Sequence, residues 1–220
     1  MDLGILSAAG VPITNPLPAS WLGRIDAPPI PPAWANFGTL SSVQLKNLQA
    51  QLAYDLSAWD YTLIGNNNEL GRYQIQPQTL ENYGLLAPGS VGSYGTDAVN
   101  YRHCWQPTVV NNGQNVYENY FYNIINLRGF LSTSPAQEHL AYQMILDLYT
   151  SCTNVGAVQS TDTAETVAGM ISVAWTLGTG TGPTPDNTAG TGAWAWRYNN
   201  LGDGANSYNS GRYAIAVLSR

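Results

Sequence analysis

Few side chains in this sequence could form or break a covalent bond, and the familiar nucleophile and metal patterns are missing. His103 and His139 are the only histidines and Cys104 and Cys152 the only cysteines. No Cys-x-x-Cys or His-x-x-x-His pair is present, so the residues hold no recognisable zinc site and imply no metal. His103-Cys104-Trp105 has no Asp or Asn at a motif spacing to orient an imidazole, which argues against a thiol nucleophile. Two cysteines in 220 residues are no disulfide framework, and the expectation is free, buried thiols. What remains is carboxylate chemistry. Glu138 and Glu165 stand at expected helix starts, where capping and the helix dipole explain them. Asp55, Asp60 and Glu69 lie outside such starts.

The charge pattern narrows the partners. Net charge is -6, and seven of the eight basic residues are scattered arginines with Lys46 as the eighth. No basic stripe exists to neutralise phosphates, so nucleic acid is excluded as a partner. Charged residues make up only 10% of the chain, so Asn, Gln, Gly, Ser, Thr and 14 Tyr must supply a neutral polar surface. The opening residues lack the positive region of an export signal. The longest apolar-leaning stretch, 166–185, is interrupted by Gly169, Gly178, Gly180 and Gly182, and reads as a buried helix followed by a loop, not a membrane span.

The elements that must hold these groups are mostly helices, because period-two alternation is scarce. Seven prolines fall in the first 32 residues, among Trp21, Trp34 and Phe37. Proline fixes its own φ and biases its predecessor to extended backbone, so residues 1–39 are expected to form an extended arm that docks on partner proteins. A domain over 40–220 follows. Leu45, Leu48, Leu52 and Leu56 share one stripe of a helix over 42–57, with Ser41 or Ser42 as its cap. A short helix is expected from Pro77 to Tyr83, an irregular excursion over 87–116, and an aromatic-rich helix over 117–130 closed by Gly129. Ser134-Pro135-Ala136-Gln137 has the form of a capping box opening a helix to about Thr150. Asp162 to Glu165 opens another, stopped by Gly178. Two more are expected near 193–199 and 207–219.

Four segments carry a resemblance. Gly71-Arg72-Tyr73-Gln74-Ile75-Gln76-Pro77-Gln78-Thr79-Leu80 resembles the G-x-Y-Q-[IF]-x-P-x-T-L segment of lysozyme-like lytic transglycosylases, especially those on bacteriophage tails. Phe130 to Glu138 is similar to that family's F-L-x-x-P-x-x-Q-E helix start. Gly169 to Gly180 is similar to its G-x-x-x-A-H-x-x-G-x-G, with Trp175 at the histidine. Tyr208-Asn209-Ser210-Gly211 is loosely like a Y-N-x-G piece. The matches keep the family's order over residues 45–215, and the nearest likeness is to structural lysozyme-like proteins of cyanobacterial myoviruses.

The resemblance implies a mainly α, lysozyme-like domain behind the Pro-rich arm. It implies a virion protein of a phage tail or baseplate that cleaves the β-1,4 bond between N-acetylmuramic acid and N-acetylglucosamine in peptidoglycan, without a cofactor. A carboxylic acid at the end of the first core helix protonates the leaving oxygen and then acts as base. Its partners would be peptidoglycan and, through residues 1–39, other tail or baseplate proteins. Tyr73 and Gln74 are the implied substrate-binding positions. The family's acid falls on Leu56 in an ungapped alignment, and a one-residue shift brings in Asp55, shorter than Glu by one methylene, about 1.5 Å. Asp55 is thus the catalytic candidate, with a buried, hydrogen-bonded carboxylate as the competing reading. The alternative function is a tail subunit or wall binder that kept the fold and lost turnover. Asp60 and Glu69 read as loop residues. Trp59, Trp175, Trp194, Trp196 and Tyr198 could stack on sugars. Trp175 is expected in the core, and of Trp194 and Trp196 only one can face inward, which makes Trp194 a substrate-binding candidate.

Overall fold

A computed structural model of the chain describes residues 5–6, 12–13, 36–106, 124–184, 187, 189–199 and 204–217. Most of the expected arm and residues 107–123 of the expected excursion and aromatic helix lie outside them. The chain is mainly helical. It divides into two compact units, Met1–Asp55 with Ala141–Arg220, and Leu56–Leu140.

In the first unit, two short antiparallel pairs precede the helices. β1 (Ile5–Leu6) pairs with β2 (Pro12–Ile13), and β3 (Asn36–Phe37) with β4 (Leu40–Ser41). Helix α1 (Ser42–Ser57) has the expected bounds. Its start is reciprocal: the Gln44 N–H donates to Ser41 Oγ at 3.3 Å, and the Ser41 N–H donates to Gln44 Oε1 at 2.8 Å. That arrangement satisfies donors the first helical turn would leave unpaired. Leu45, Leu48 and Leu52 are buried as their spacing predicts, whereas Leu56 is half-buried.

The second unit runs through α2 (Pro77–Asn82) and α3 (Ser90–Tyr94), two 3-10 segments at Gly95–Asn100 and Arg102–Cys104, and α4 (Leu127–Ser132). The expected irregular excursion is therefore ordered over 87–106. Glu81 fastens its start by accepting the Gly89 and Val91 N–H groups at 2.9 and 2.7 Å. Ala87 donates to the Cys104 carbonyl and Gln106 to that of Leu85, at 2.7 and 2.9 Å, which fastens the return. Gly129 does not close a helix: α4 passes through it, with Asn126 as its cap, Oδ1 accepting the Gly129 N–H at 2.7 Å. Helix α5 (Ser134–Asn154) follows.

Returning to the first unit, α6 (Ala164–Leu177) starts at Thr163, whose hydroxyl accepts the Thr166 N–H at 3.3 Å, and stops at Gly178 with φ of 77°. Asp162 is not the cap. Its carboxylate grips the Arg197 guanidinium through two bonds of 2.6 and 2.8 Å, and this pairing holds it below the usual carboxylate range. Helices α7 (Gly192–Asn199) and α8 (Ala205–Ala216) complete the unit. All eight residues from Val167 to Ala174 are buried, so α6 is a core helix covered on every side. Helix α8 approaches it closely: a Cβ on Gly211 would collide with the Ala168 carbonyl and Ser172 Oγ. Trp175, expected in the core, is half-buried. Cys104 and Cys152 are free and buried, and burial pushes the Cys152 thiol up to about 12.

Candidate functional site

Asp55 sits in the last turn of α1, where the dipole of a helix opposes a negative charge. Both its oxygens are engaged within the first unit. Oδ1 accepts from Gln51 Nε2, one turn back, at 2.9 Å, and Oδ2 accepts from the Ser210 hydroxyl of α8. No cation pairs with it among the described residues. Burial dominates the two hydrogen bonds and raises the carboxyl to about 6. At neutral pH it is mostly ionised, and near pH 6 half of it carries a proton that can be given away. Gln51 is buried, and its Oε1 has no hydrogen-bond partner among the described residues. Turning that amide would offer Asp55 an acceptor when the acid is protonated.

A second carboxylate, fully buried and in the other unit, was expected to be a helix-start residue and is not. Glu138 is 0% exposed. Its Oε1 accepts from the Tyr61 hydroxyl at 2.6 Å and lies 3.2 Å from Arg72 Nε; its Oε2 accepts from the Tyr73 hydroxyl at 2.5 Å. Arg72 Nη1 also donates to the Tyr61 oxygen at 2.7 Å, and its guanidinium lies 4.8 Å from the centre of the Tyr61 ring. Burial, then the Glu138 charge, pushes the Tyr61 phenol far above its ordinary value. This carboxylate is compensated on every side and closed to solvent.

Gln137 is likewise no capping-box partner. Its Oε1 accepts the Arg72 N–H at 2.9 Å, and its Nε2 donates to the Tyr61 and Phe130 carbonyls at 3.1 and 3.0 Å. Gly71 has φ of 68°, and a Cβ there would run into the Gln137 amide, so only glycine permits this approach. The Gly-x-Tyr-Gln and Gln-Glu segments of the resemblance thus clasp each other. The sequence signal that could have found the clasp is the pairing of a lone arginine inside one segment with a lone acid inside the other.

The clasp determines where the implied substrate contacts stand. Tyr73 is 0% exposed with its hydroxyl on Glu138, so in this conformation it offers no surface to a glycan. Gln74, half-buried with φ of 45°, donates Nε2 to the Gly71 carbonyl at 2.9 Å and holds its own loop. Asp55 belongs to the other unit. Trp194 is half-buried in the first unit, where the Gly182 backbone flanks its ring and Tyr198 lies 4.8 Å away, centre to centre. Trp196 is also half-buried, 4.5 Å from the Tyr208 ring. The expected division into one inward and one outward tryptophan is therefore not what the helix presents.

The loop carboxylates serve the loop. Asp60 accepts the Thr62 N–H and hydroxyl, both at 2.7 Å, which hold it below its ordinary value. Glu69 accepts the N–H and amide of Asn67 at 2.9 and 3.0 Å. Ala58 and Trp59 have φ of 51° and 66°, a left-handed stretch that side chains rarely adopt.

No group of three or more His, Cys, Asp or Glu residues that could hold a metal ion occurs among the described residues, and none of their helices is long and apolar enough to cross a membrane. The chain matches no protein-family model, no curated protein and no solved structure.

Proposed function

We propose that this chain is a lysozyme-like domain of a phage tail or baseplate that opens peptidoglycan, with Asp55 as its acid. The observation that carries the reading is the carboxyl at the end of α1, hydrogen-bonded but without a paired cation among the described residues and raised to about 6. A general acid must hold its proton near the working pH, and burial without a cation achieves that. In the proposed reaction Asp55 gives its proton to the bridging oxygen as the bond from the muramic C1 to that oxygen breaks. The resulting carboxylate then takes a proton from the nucleophile that closes on C1, either the muramic 6-hydroxyl or water. Ser210 must release Oδ2 for this to occur, and residues 1–39 would attach the domain to its particle.

The test is digestion of purified peptidoglycan by the whole chain, with products read by mass spectrometry. Muropeptide release that Asp55→Asn reduces at least a hundredfold supports the reading. Absence of anhydro-muramyl and reducing-end products between pH 5 and 7 overturns it.

A second reading, a tail subunit or wall binder without turnover, is favoured by one specific observation. Both Asp55 oxygens are already engaged by the chain's own donors, while Leu56 stands in the register of the family's acid. Under that reading the wild-type chain and Asp55→Asn bind peptidoglycan equally and neither releases fragments.

A further inference from the structure

Outside both carboxylate sites, the second unit carries a group of aromatic rings on its surface. Tyr94, at the end of α3, is 44% exposed, and Tyr101, between the two 3-10 segments, 43%; His103 is exposed beside them. The three rings touch one another. Centroids are 5.0 Å apart for the two tyrosines, 5.3 Å for Tyr94 and His103, and 5.7 Å for Tyr101 and His103. Aromatic rings left in water forgo the burial that ordinarily stabilises them, so two phenols and an imidazole together form a feature rather than scatter.

The support beneath them is fixed. Ala98, Val99, Cys104 and Trp105 are buried, and the Trp105 indole donates to the Val99 carbonyl at 2.8 Å. The Tyr101 N–H donates to Ala98 and the Cys104 N–H to Tyr101, at 3.2 and 3.0 Å, so the rings are held by ordered backbone on both sides. Around them the exposed residues of the segment are Gly, Ser, Thr, Asn and Asp, with the cation Arg102 between Tyr101 and His103. A Cβ built on Gly89, Gly92 or Gly95 would meet nothing within 4 Å, which leaves the approach open. Asp97 and Asn100, on the same segment, are exposed.

We infer that Tyr94, Tyr101 and His103 form a glycan-binding platform that stacks on the pyranose rings of a β-1,4-linked N-acetylated sugar strand. This deepens the peptidoglycan reading and rests on it for the choice of strand. Three features select that ligand. The two phenols are inclined at 45°, so they present two facets, which suits successive sugar rings better than one flat heterocycle. The donors and acceptors on the same segment, the Arg102 guanidinium, the Asn100 amide and the Asp97 carboxylate that Asn68 holds at 3.1 Å, match the hydroxyl and N-acetyl groups of such a strand. A folded protein partner would want an apolar core around the rings, and the surrounding residues do not supply one.

The experiment uses the whole chain carrying Asp55→Asn, so that no strand is cut. A β-1,4-linked tetramer of N-acetylglucosamine is titrated while tyrosine ring signals are followed by NMR, and binding to purified peptidoglycan is measured by co-sedimentation. Tyr94 and Tyr101 signals should move, Tyr94→Ala with Tyr101→Ala should raise Kd about tenfold or more, and Trp at both positions should keep it within a few-fold. Unchanged binding in the alanine variant, or no binding by the intact platform, overturns the inference. So does a dimer that the alanine variant dissolves while glycan binding persists. Intact-chain binding without any product from the unsubstituted protein leaves the platform standing and removes only the cleavage reading.

Discussion

Two carboxylates, a half-buried one and a fully buried one in separate units, show what environment does to the same chemical group. Glu138 has a guanidinium and two phenols directed at it, whereas Asp55 has one amide, one hydroxyl and no cation among the described residues. Removing a carboxylate from water costs several kcal/mol unless opposite charge and hydrogen bonds replace the solvent. At Glu138 they do, and the charge becomes part of a clasp. At Asp55 they fall short, and the group retains its proton to about 6. The fully compensated acid is a fastening, and the under-compensated one is the acid that the proposed cleavage would use.

The most severe way to break this contrast is to strip Glu138 of its cation. Arg72→Met should destabilise the protein by about 3–5 kcal/mol, since it leaves a buried charge unpaired. Combining it with Glu138→Leu should restore much of the loss, because both polar partners then vanish together. Denaturant titration of the two single variants and the pair reads the coupling directly, and additive losses would show that the pair is no clasp.

Asp55→Asn is expected to act in the opposite direction. The folded acid titrates near 6 against 3.8 for the ordinary group, so the folded state binds more protons within that window. Stability therefore falls as pH rises from about 4 to 6, and the wild type carries a cost on the order of 2–3 kcal/mol above it. The asparagine variant should be more stable than wild type at pH 8, similar to it at pH 3.5, and flatter between. Urea midpoints at the two pH values check this, and a variant less stable at pH 8 would contradict it.

A milder change sharpens the same comparison. Tyr73→Phe removes one hydroxyl from Glu138 while keeping the ring, so a loss of about 1–2 kcal/mol is expected, well below that for Arg72→Met. A loss as large as the arginine's would mean the phenols, and not the cation, carry the clasp.

How far these features could be read from the sequence depended on the range of the contacts behind them. Helix α1 was legible to the residue because its leucine spacing and the Ser41-to-Gln44 cap are local, and the stop of α6 at Gly178 is local too. Ser134-Pro135-Ala136-Gln137 did mark the start of α5, but it misled about its side chains for the converse reason. It has the form of a capping box, but Gln137 and Glu138 are engaged by Arg72, Tyr61 and Tyr73, more than sixty residues earlier in the chain, and tertiary contacts outrank a local pattern. The Gly- and Asn-rich stretch from 87 to 106 read as irregular because its order comes from Glu81 and the pairing of Leu86 with Trp105, which composition does not reveal. Asp55 was legible as a candidate through the resemblance, but its partner Ser210 lies 155 positions away.

The contrast comes down to one titration. In the whole chain labelled with ¹³C at aspartate side chains, and assigned by comparison with Asp55→Asn, the Asp55 carboxyl signal should move with a midpoint near 6. Ser210→Ala should carry it higher, because that hydroxyl favours the ionised form. A midpoint in the ordinary aspartate range, near 4, would mean that Asp55 is ionised throughout the working pH and has no proton to give.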